Sequence, residues 1–339
     1  MKVFERPSLK AYNTFGVNAS AALLLAIESE EDVLSLPVFD PARDLVLGGG
    51  SNIVLAGDIP GTAYHVCISG RHVLEEETDH AVVEIGAGED WHGTVRWSLE
   101  RGYSGLENLS LIPGTAGAAP LQNIGAYGVE LAGVLDRVTA WDWHGARWVS
   151  FSCEECRFGY RDSLFKSVEP GRYLVTSIRL RLDRSFRPWL DYSGLREELS
   201  AGGVAHPTAL DVSDAIMRIR RRRLPDPARV GNAGSFFKNP VIDQAAAAAL
   251  LDRFPGLPAW PQAGEQVKLS AAWMVERCGL KGLREGDAAV SERHALVLVN
   301  QGSATGRQII RLSKRVQSAV TEAFGVLLEP EPRLIEFNR

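Results

Sequence analysis

Residues 105–130 read GLENLSLIPGTAGAAPLQNIGAYGVE. Five glycines, two prolines and two asparagines share this stretch with only two charged side chains. Connecting loops are normally polar and solvent-facing, so a long neutral segment of this kind requires an explanation. Glycine lets backbone approach a neighbouring group closely, and successive turn amides form concavities suited to phosphate oxygens. A buried structural loop and a cofactor bed are both compatible with the stretch read by itself. Its neighbours in the sequence separate the two.

Residues 44–58, DLVLGGGSNIVLAGD, place a glycine turn between two short apolar strands, 45–47 and 53–55. A dinucleotide fingerprint needs its glycines between a strand and a helix, at G-x-G-x-x-G spacing. That spacing is absent here, and so is a Walker A sequence. Phosphate held at Gly48, Gly49, Gly50, Ser51 and Asn52 would therefore lie on turn amides and not on a helix N-terminus.

At 339 residues the chain is long for one domain, and its length suggests two or three. Apolar residues make up 45%, enough for a sizeable core. A net charge of −5 argues against general nucleic-acid binding, which wants a basic surface. The longest apolar runs, 21–27 and 245–251, are far short of a membrane span, and MKVFERPSLK lacks the apolar core of a signal peptide. A cytoplasmic protein with no membrane segment is expected. Cys153 and Cys156 form a single C-x-x-C without a second ligand pair, so no metal site is expected and the four thiols are read as reduced.

Strand patterns at 81–88, 138–143, 148–151 and 173–182 alternate with a helix at 89–102, an α+β order. The helix at 211–223 has Asp211 or Ser213 as its cap and ends in four arginines, Arg220 to Arg223. One or two cations complement a helix C-terminus; four suggest that one faces an anion. Helices follow at 243–253, 270–278 and 307–324, with a buried strand at 294–300. The shift near Leu210 from strand-rich to helix-rich sequence marks a domain boundary.

Three further polar segments interrupt apolar patterns: FGYRDSLFK at 158–166, GNAGSFFKNP at 231–240 and LEPEPR at 328–333. Singly, each has a bland reading as a surface ion pair, a turn hydroxyl or a solvated glutamate. Taken in order with NTFG at 13–16, GGGSN, the 105–130 stretch, LPDP at 224–227 and KLSAAWMVERCGLKG at 268–282, they form a continuous pattern. Over nearly the whole chain this pattern resembles the UDP-N-acetylenolpyruvoylglucosamine reductase (MurB) family of bacterial cell-wall synthesis.

The resemblance implies an α+β protein with an FAD-binding fold of the vanillyl-alcohol oxidase (PCMH) type. That fold is built from two α+β subdomains, 1–65 with 326–339 and 66–212, followed by a C-terminal substrate-binding α+β domain at 213–325. It implies an NADPH-dependent reductase of an enolpyruvyl ether, with hydride passing through FAD and a proton then delivered to the resulting enolate. Arg161, Ser235 and Glu331 are the implied catalytic residues: a guanidinium for the developing charge, a hydroxyl for the proton, and a carboxyl that polarises the substrate or donates a proton itself. The implied FAD contacts are Gly48, Gly49, Gly50, Ser51 and Asn52, then Ile112, Pro113, Gly114, Thr115, Gly117, Ala118 and Ala119, then Gln122, Asn123, Gly125, Ala126, Tyr127 and Gly128, and finally Arg333. The flavin pyrophosphate is expected on amides of 48–52 and 114–119.

Residues 190–195, LDYSGL, look like the lid loop of one type within the family, with Tyr192 as its tyrosine. Arg223, Lys238, Asn239 and Lys268 are candidates for the substrate nucleotide and diphosphate. Two positions depart from the family pattern: Trp260 stands where a tyrosine is common, and Arg223 where a lysine is. A guanidinium still holds phosphate, as a fork in place of a point charge. A monomer is expected, with the UDP-sugar and NADPH as its small-molecule partners. Two alternatives stay open: another FAD oxidase of the same fold, and a nucleotide-sugar sensor without catalysis. No histidine lies in the glycine-rich motifs to carry a covalent flavin, and a sensor needs no proton donor.

Overall fold

The computed structural model describes residues 1–337. The chain divides into two compact units. The first comprises Met1–Pro7, Ala21–Gly50 and Ile59–Arg222; the second comprises Ser8–Ser20, Ser51–Asp58 and the chain from Arg223 onward. The division at Arg222 lies beyond the break expected at 212–213, and two N-terminal segments return to the second unit.

In the first unit, Ala21–Ile27 and Leu45–Leu47 both pair in parallel with Ile59–Val66, and Lys2–Glu5 adds an antiparallel edge. A five-stranded antiparallel sheet runs in the order Arg147–Ser152, Leu135–Asp142, Tyr173–Asp183, His80–Gly86, Arg71–Glu76. Alternation sets its buried face: Val138 and Ala140 point inward with Val83, Ile85, Ile178 and Leu180. The helix Trp91–Glu100 contributes Trp91, Val95 and Leu99 to the same cluster and starts at Asp90, which accepts from the Gly93 amide at 2.6 Å. Asp142 is buried at the end of its strand and accepts a two-pronged bond from Arg172, at 3.0 and 2.9 Å, which holds its carboxyl below the usual carboxylate range.

The last helix of this unit, Ala209–Arg223, begins two residues before the sequence reading places it. Thr208, not Asp211 or Ser213, is the capping hydroxyl. Its Oγ1 accepts from the Asp211 amide at 3.2 Å while Asp211 accepts from the Thr208 amide at 2.9 Å. The four terminal arginines also divide. Arg222 and Arg218 both bind Glu198, whose carboxyl is pulled down to about 2 by these guanidinium partners. Arg221 and Arg223 are exposed, and Arg220 is the most enclosed of the four.

In the second unit, Gly231–Ser235, Val297–Asn300, Ala288–Val290 and Arg284–Glu285 form an antiparallel sheet. The helix Gly306–Phe324 packs Ile309, Ile310, Leu312, Val316, Val320 and Phe324 inward, between a Thr305–Gln308 capping box and a left-handed Gly325. The NTFG segment is a plug. The Asn13 side chain bonds Leu9 and Val17, the Phe15 ring meets Phe236 edge-on at 6.3 Å, and Asn300 donates to the Phe15 carbonyl. Arg333–Ile335 pairs in parallel with Ile53–Leu55. The two strands flanking the glycine turn therefore belong to different units, and they are not a hairpin.

Candidate functional site

Within the first unit the 105–130 stretch is anchored under the helix Trp91–Glu100. Trp91 Nε1 donates to the Leu109 carbonyl at 3.0 Å, and the Trp91 amide donates to Gly114. The amides of Ala116, Gly117 and Ala118 go to the carbonyls of Glu89, Ala87 and Thr115 at 2.8, 2.9 and 3.0 Å. Those three N–H groups are thus engaged inside the protein, so their place in a phosphate bed is to fix its shape.

The glycine turn meets this stretch directly. A Cβ at Gly49 would stand 3.0 Å from the Gly114 Cα, and one at Gly48 would stand 2.5 Å from Thr115 Oγ1. That hydroxyl oxygen is enclosed and has no hydrogen-bond partner among the described residues. A buried hydroxyl without a partner wants a ligand atom. Set between two backbone turns bare of side chains, it fits the phosphate-bearing cofactor that the glycines imply. Gly48, Gly49, Gly114 and Thr115 are thereby brought together.

Further along, Asn123 stands in the left-handed region at φ 43° and ties three segments: its Nδ2 donates to Glu130 and to the Gly159 carbonyl, and its Oδ1 accepts from Ala132. Gly159 and Asp162 exchange backbone bonds at 3.1 and 3.2 Å, closing a tight loop with Arg161 at its tip, φ 56°. A non-glycine residue held there is strained, a state that persists only where its surroundings dictate it. Arg161 Nη2 donates to the Gly125 carbonyl at 2.6 Å, and Lys166 Nζ reaches both the Arg161 carbonyl and Gln122. Arg161, Gln122, Asn123 and Gly125 thus share one neighbourhood. The Tyr127 ring, φ 50°, meets Tyr192 edge-on with centroids 4.8 Å apart.

Arg220 adds a residue that the sequence reading did not single out. Its Nε is enclosed without a hydrogen-bond partner among the described residues, and burial draws its guanidinium down from its ordinary value, opposed by Tyr127. Arg220 is the member of the arginine run that stands among the site tyrosines.

In the second unit Ser235 ends its strand just after a bulge. Asn232 pairs with Val299 and Ser235 with Val297, so one extra residue is inserted, at a turn where Gly234 has φ 72°. Bulges re-aim the following side chain, and Asn232 fixes this one by accepting from the Gly234 amide at 2.9 Å. The next residues pair with the LEPEPR segment: Glu331 N donates to Phe236 O at 2.8 Å, and Lys238 N donates to Glu329 O at 2.9 Å. Ser235 and Glu331, nearly a hundred positions apart, are therefore neighbours. Asn52 belongs to the same seam, donating from its side chain to the Glu331 carbonyl at 3.2 Å and accepting from the Arg333 amide at 2.9 Å.

Lys238 is partly buried and bonds Glu329 at 2.6 Å. Asn239 Oδ1 accepts from the Ala271 amide, so its carbonyl oxygen caps a helix. Lys268 faces Val241 on one side and Trp260 on the other in the small sheet Val241–Asp243, Gln266–Leu269, Ala259–Gln262. Lys238, Asn239 and Lys268 are thus clustered. Arg223 stands beside His294, whose imidazole is pushed down by burial first and by Arg223 second. Among the described residues no three His, Cys, Asp or Glu side chains are grouped to hold a metal ion. No helix among them is long and apolar enough to cross a membrane.

Comparison with known proteins places these features in a family. Residues 21–148 match the model for an FAD binding domain, and residues 226–335 match the model for the C-terminal domain of UDP-N-acetylenolpyruvoylglucosamine reductase. The chain is 50% identical over 331 residues to that reductase of Chromobacterium violaceum, covering 96% of this chain and 97% of the relative. It is 50% identical over 337 residues to the Pseudomonas aeruginosa enzyme, covering 98% and 99%. The crystal structure of the reductase from Thermus caldophilus superposes with a TM-score of 0.70 at 29% identity, over 99% of this chain and 100% of the other.

Proposed function

The chain belongs to the UDP-N-acetylenolpyruvoylglucosamine reductase family, and we propose that it reduces the enolpyruvyl ether of UDP-N-acetylglucosamine enolpyruvate to UDP-N-acetylmuramate, with bound FAD and with NADPH as reductant. The observation that supports this reading is the seam joining residues 235–238 to 329–331, whose backbone bonds bring the segments carrying Ser235 and Glu331 alongside each other.

Bound FAD supplies the hydride that the vinyl carbon of the substrate receives. As that bond forms, negative charge gathers on the adjacent carbon and its carboxylate. Arg161, a permanent cation with a fork of donors, balances it. Arg161 Nη2 already bonds the Gly125 carbonyl at 2.6 Å, so the guanidinium is placed before substrate arrives and little reorganisation is needed at the moment of reaction. Ser235 gives its hydroxyl proton to the enolate carbon. A free hydroxyl is a weak acid, but an enolate is a strong base, so geometry decides the rate, and the bulge at Ala233 and Gly234 supplies that geometry.

Glu331 polarises the substrate from the position next to Ser235. Lys238, Asn239, Lys268 and Arg223 hold the diphosphate and nucleotide, and Tyr192 is the lid tyrosine. The guanidinium at 223 grips phosphate as a fork. The protein works as a monomer in the cytoplasm.

The test is a visible spectrum of the purified protein, taken before and after anaerobic NADPH and again after substrate. The expected record is a yellow protein that bleaches with NADPH and regains colour with the enolpyruvyl sugar. Ser235→Ala should still bleach at the parent rate but regain colour more slowly by a factor on the order of a hundred or more. Equal slowing of both halves would remove Ser235 from proton delivery, and a protein that cannot take up FAD would overturn the whole reading.

A further inference from the structure

One amide side chain joins the glycine-rich stretch to the lid. Asn108, 1% exposed, donates from Nδ2 to the Tyr127 carbonyl at 2.9 Å and to the Trp189 carbonyl at 3.1 Å. Both acceptors are carbonyls, so the nitrogen, not the oxygen, must face them. Its two acceptors are 62 positions apart (189 − 127) and belong to the backbone immediately before the lid tyrosine and to the backbone of its partner ring.

Around this bond the lid is half out in solvent, tied also by an exposed Asp191–Arg196 ion pair at 2.7 Å and by the Leu195 amide, which donates to the Tyr192 carbonyl at 3.1 Å. Trp189 is 50% exposed and Tyr192 41% exposed. Of its side chains, Phe186 and Leu190 pack on a core cluster, the one formed by Leu195, Leu199, Val212, Ala215, Ile216 and Ile219. The Trp189 indole lies over Gly128. A Cβ there would come within 2.4 Å of the indole Nε1, and the residue's φ of 83° favours glycine independently. The indole therefore has a seat that a bare α-carbon creates.

We propose that Asn108 is a latch: it holds the lid carrying Tyr192 at the Tyr127 wall, with Trp189 seated on Gly128, and so sets substrate affinity without touching substrate. Asn108 is thus a positioning residue, and its role rests on the lid reading of Tyr192. A half-exposed segment of about ten residues, held by a few apolar side chains and an exposed ion pair, opens readily. Two hydrogen bonds from a buried donor restrain it, and the same donor keeps Tyr127 in the left-handed backbone that aims its ring at Tyr192. Tying both partners to one group couples lid closure to the wall against which it closes.

The test uses the full-length flavoprotein and two variants. Asn108→Asp keeps the shape and removes both donors. Trp189→Ala keeps Asn108 and removes the exposed indole, where loss of folding is not a concern. Backbone amide exchange over residues 184–194 is measured on free protein, and KM and kcat for the enolpyruvyl sugar are measured on the holoenzyme. The expected result in Asn108→Asp is lid exchange and KM both raised roughly tenfold to a hundredfold, the span of one to two ordinary hydrogen bonds, and in Trp189→Ala, which leaves both bonds to backbone in place and removes only the indole's seat, a smaller rise of roughly threefold to tenfold in both, with kcat at saturation within about threefold. Combining Asn108→Asp with Tyr192→Ala should give no further rise in KM over Tyr192→Ala alone. Unchanged exchange at 184–194 in either variant, or full additivity in the double variant, would overturn the latch. An unchanged KM in Tyr192→Ala with raised exchange in Asn108→Asp would instead remove the lid reading and leave the tether standing.

Discussion

Gly117→Ala tests the claim that the 105–130 stretch is a shaped bed for FAD. A Cβ at Gly117 would stand 2.4 Å from the Ala87 Cβ, 2.9 Å from its Cα and 3.1 Å from its oxygen. Carbon atoms settle at about 3.5–4.0 Å, so one backbone must retreat by roughly 1 Å. Ala87 cannot easily do so: it is 1% exposed and its amide is bonded to Thr176 at 2.9 Å. The glycine-rich stretch must move instead, and with it goes the 2.9 Å bond from the Gly117 amide to the Ala87 carbonyl. Losing that bond costs about 1 kcal/mol and overpacking about 1–3 kcal/mol, so the total is about 2–4 kcal/mol. If the stretch relieves the clash by leaving the position in which it receives FAD, the dissociation constant rises by roughly thirtyfold to a thousandfold. The assay is fluorescence titration of FAD into apoprotein, with Gly133→Ala as control, since a Cβ at Gly133 meets nothing within 4 Å. A dissociation constant for Gly117→Ala within about threefold of the parent would refute the reasoning. A lowered melting temperature with unchanged FAD affinity would make the stretch a scaffold only.

Two other expectations follow from the geometry. Tyr192→Phe should weaken binding of the enolpyruvyl sugar more than it slows flavin bleaching by NADPH, and an unchanged substrate Kd would retire the lid. Arg172 holds the Asp142 carboxyl below its ordinary value, so the pair contributes stability that is present above the usual carboxylate range and is lost as pH falls below about 4. Asp142→Asn should therefore melt well below the parent at pH 7, with the gap shrinking as the pH drops to 3; a gap constant with pH would mean that the ion pair is not its source.

The segments around Arg161, Ser235 and Glu331 were legible because their composition breaks an apolar pattern, but each residue read singly had a bland explanation, and its proposed catalytic role came from the resemblance to a family. The seam that brings the segments of Ser235 and Glu331 together is a pairing between distant parts of the chain, which no local pattern encodes. The arginine run was legible as an excess of charge; its division among Glu198, solvent and the Tyr127 wall depends on which side of the helix each residue occupies. Asn108 looked like one polar residue in a neutral loop. Its importance lies in two carbonyls from other segments. The capping hydroxyl Thr208 was missed for a smaller reason: it lies one turn ahead of the clear periodicity, where the helix had not yet declared itself.

Sequence by itself determined that residues 48–52 form a glycine turn between strands and that 105–130 is a neutral, glycine-rich stretch, because glycine content and strand alternation are local properties of the chain. Only the tertiary structure decided that the turn's two strands part company, Leu45–Leu47 pairing with Ile59–Val66 and Ile53–Leu55 with Arg333–Ile335. Strand pairing satisfies backbone groups with whichever partner the whole chain brings alongside, and the partner of Ile53–Leu55 lies 280 positions away (333 − 53).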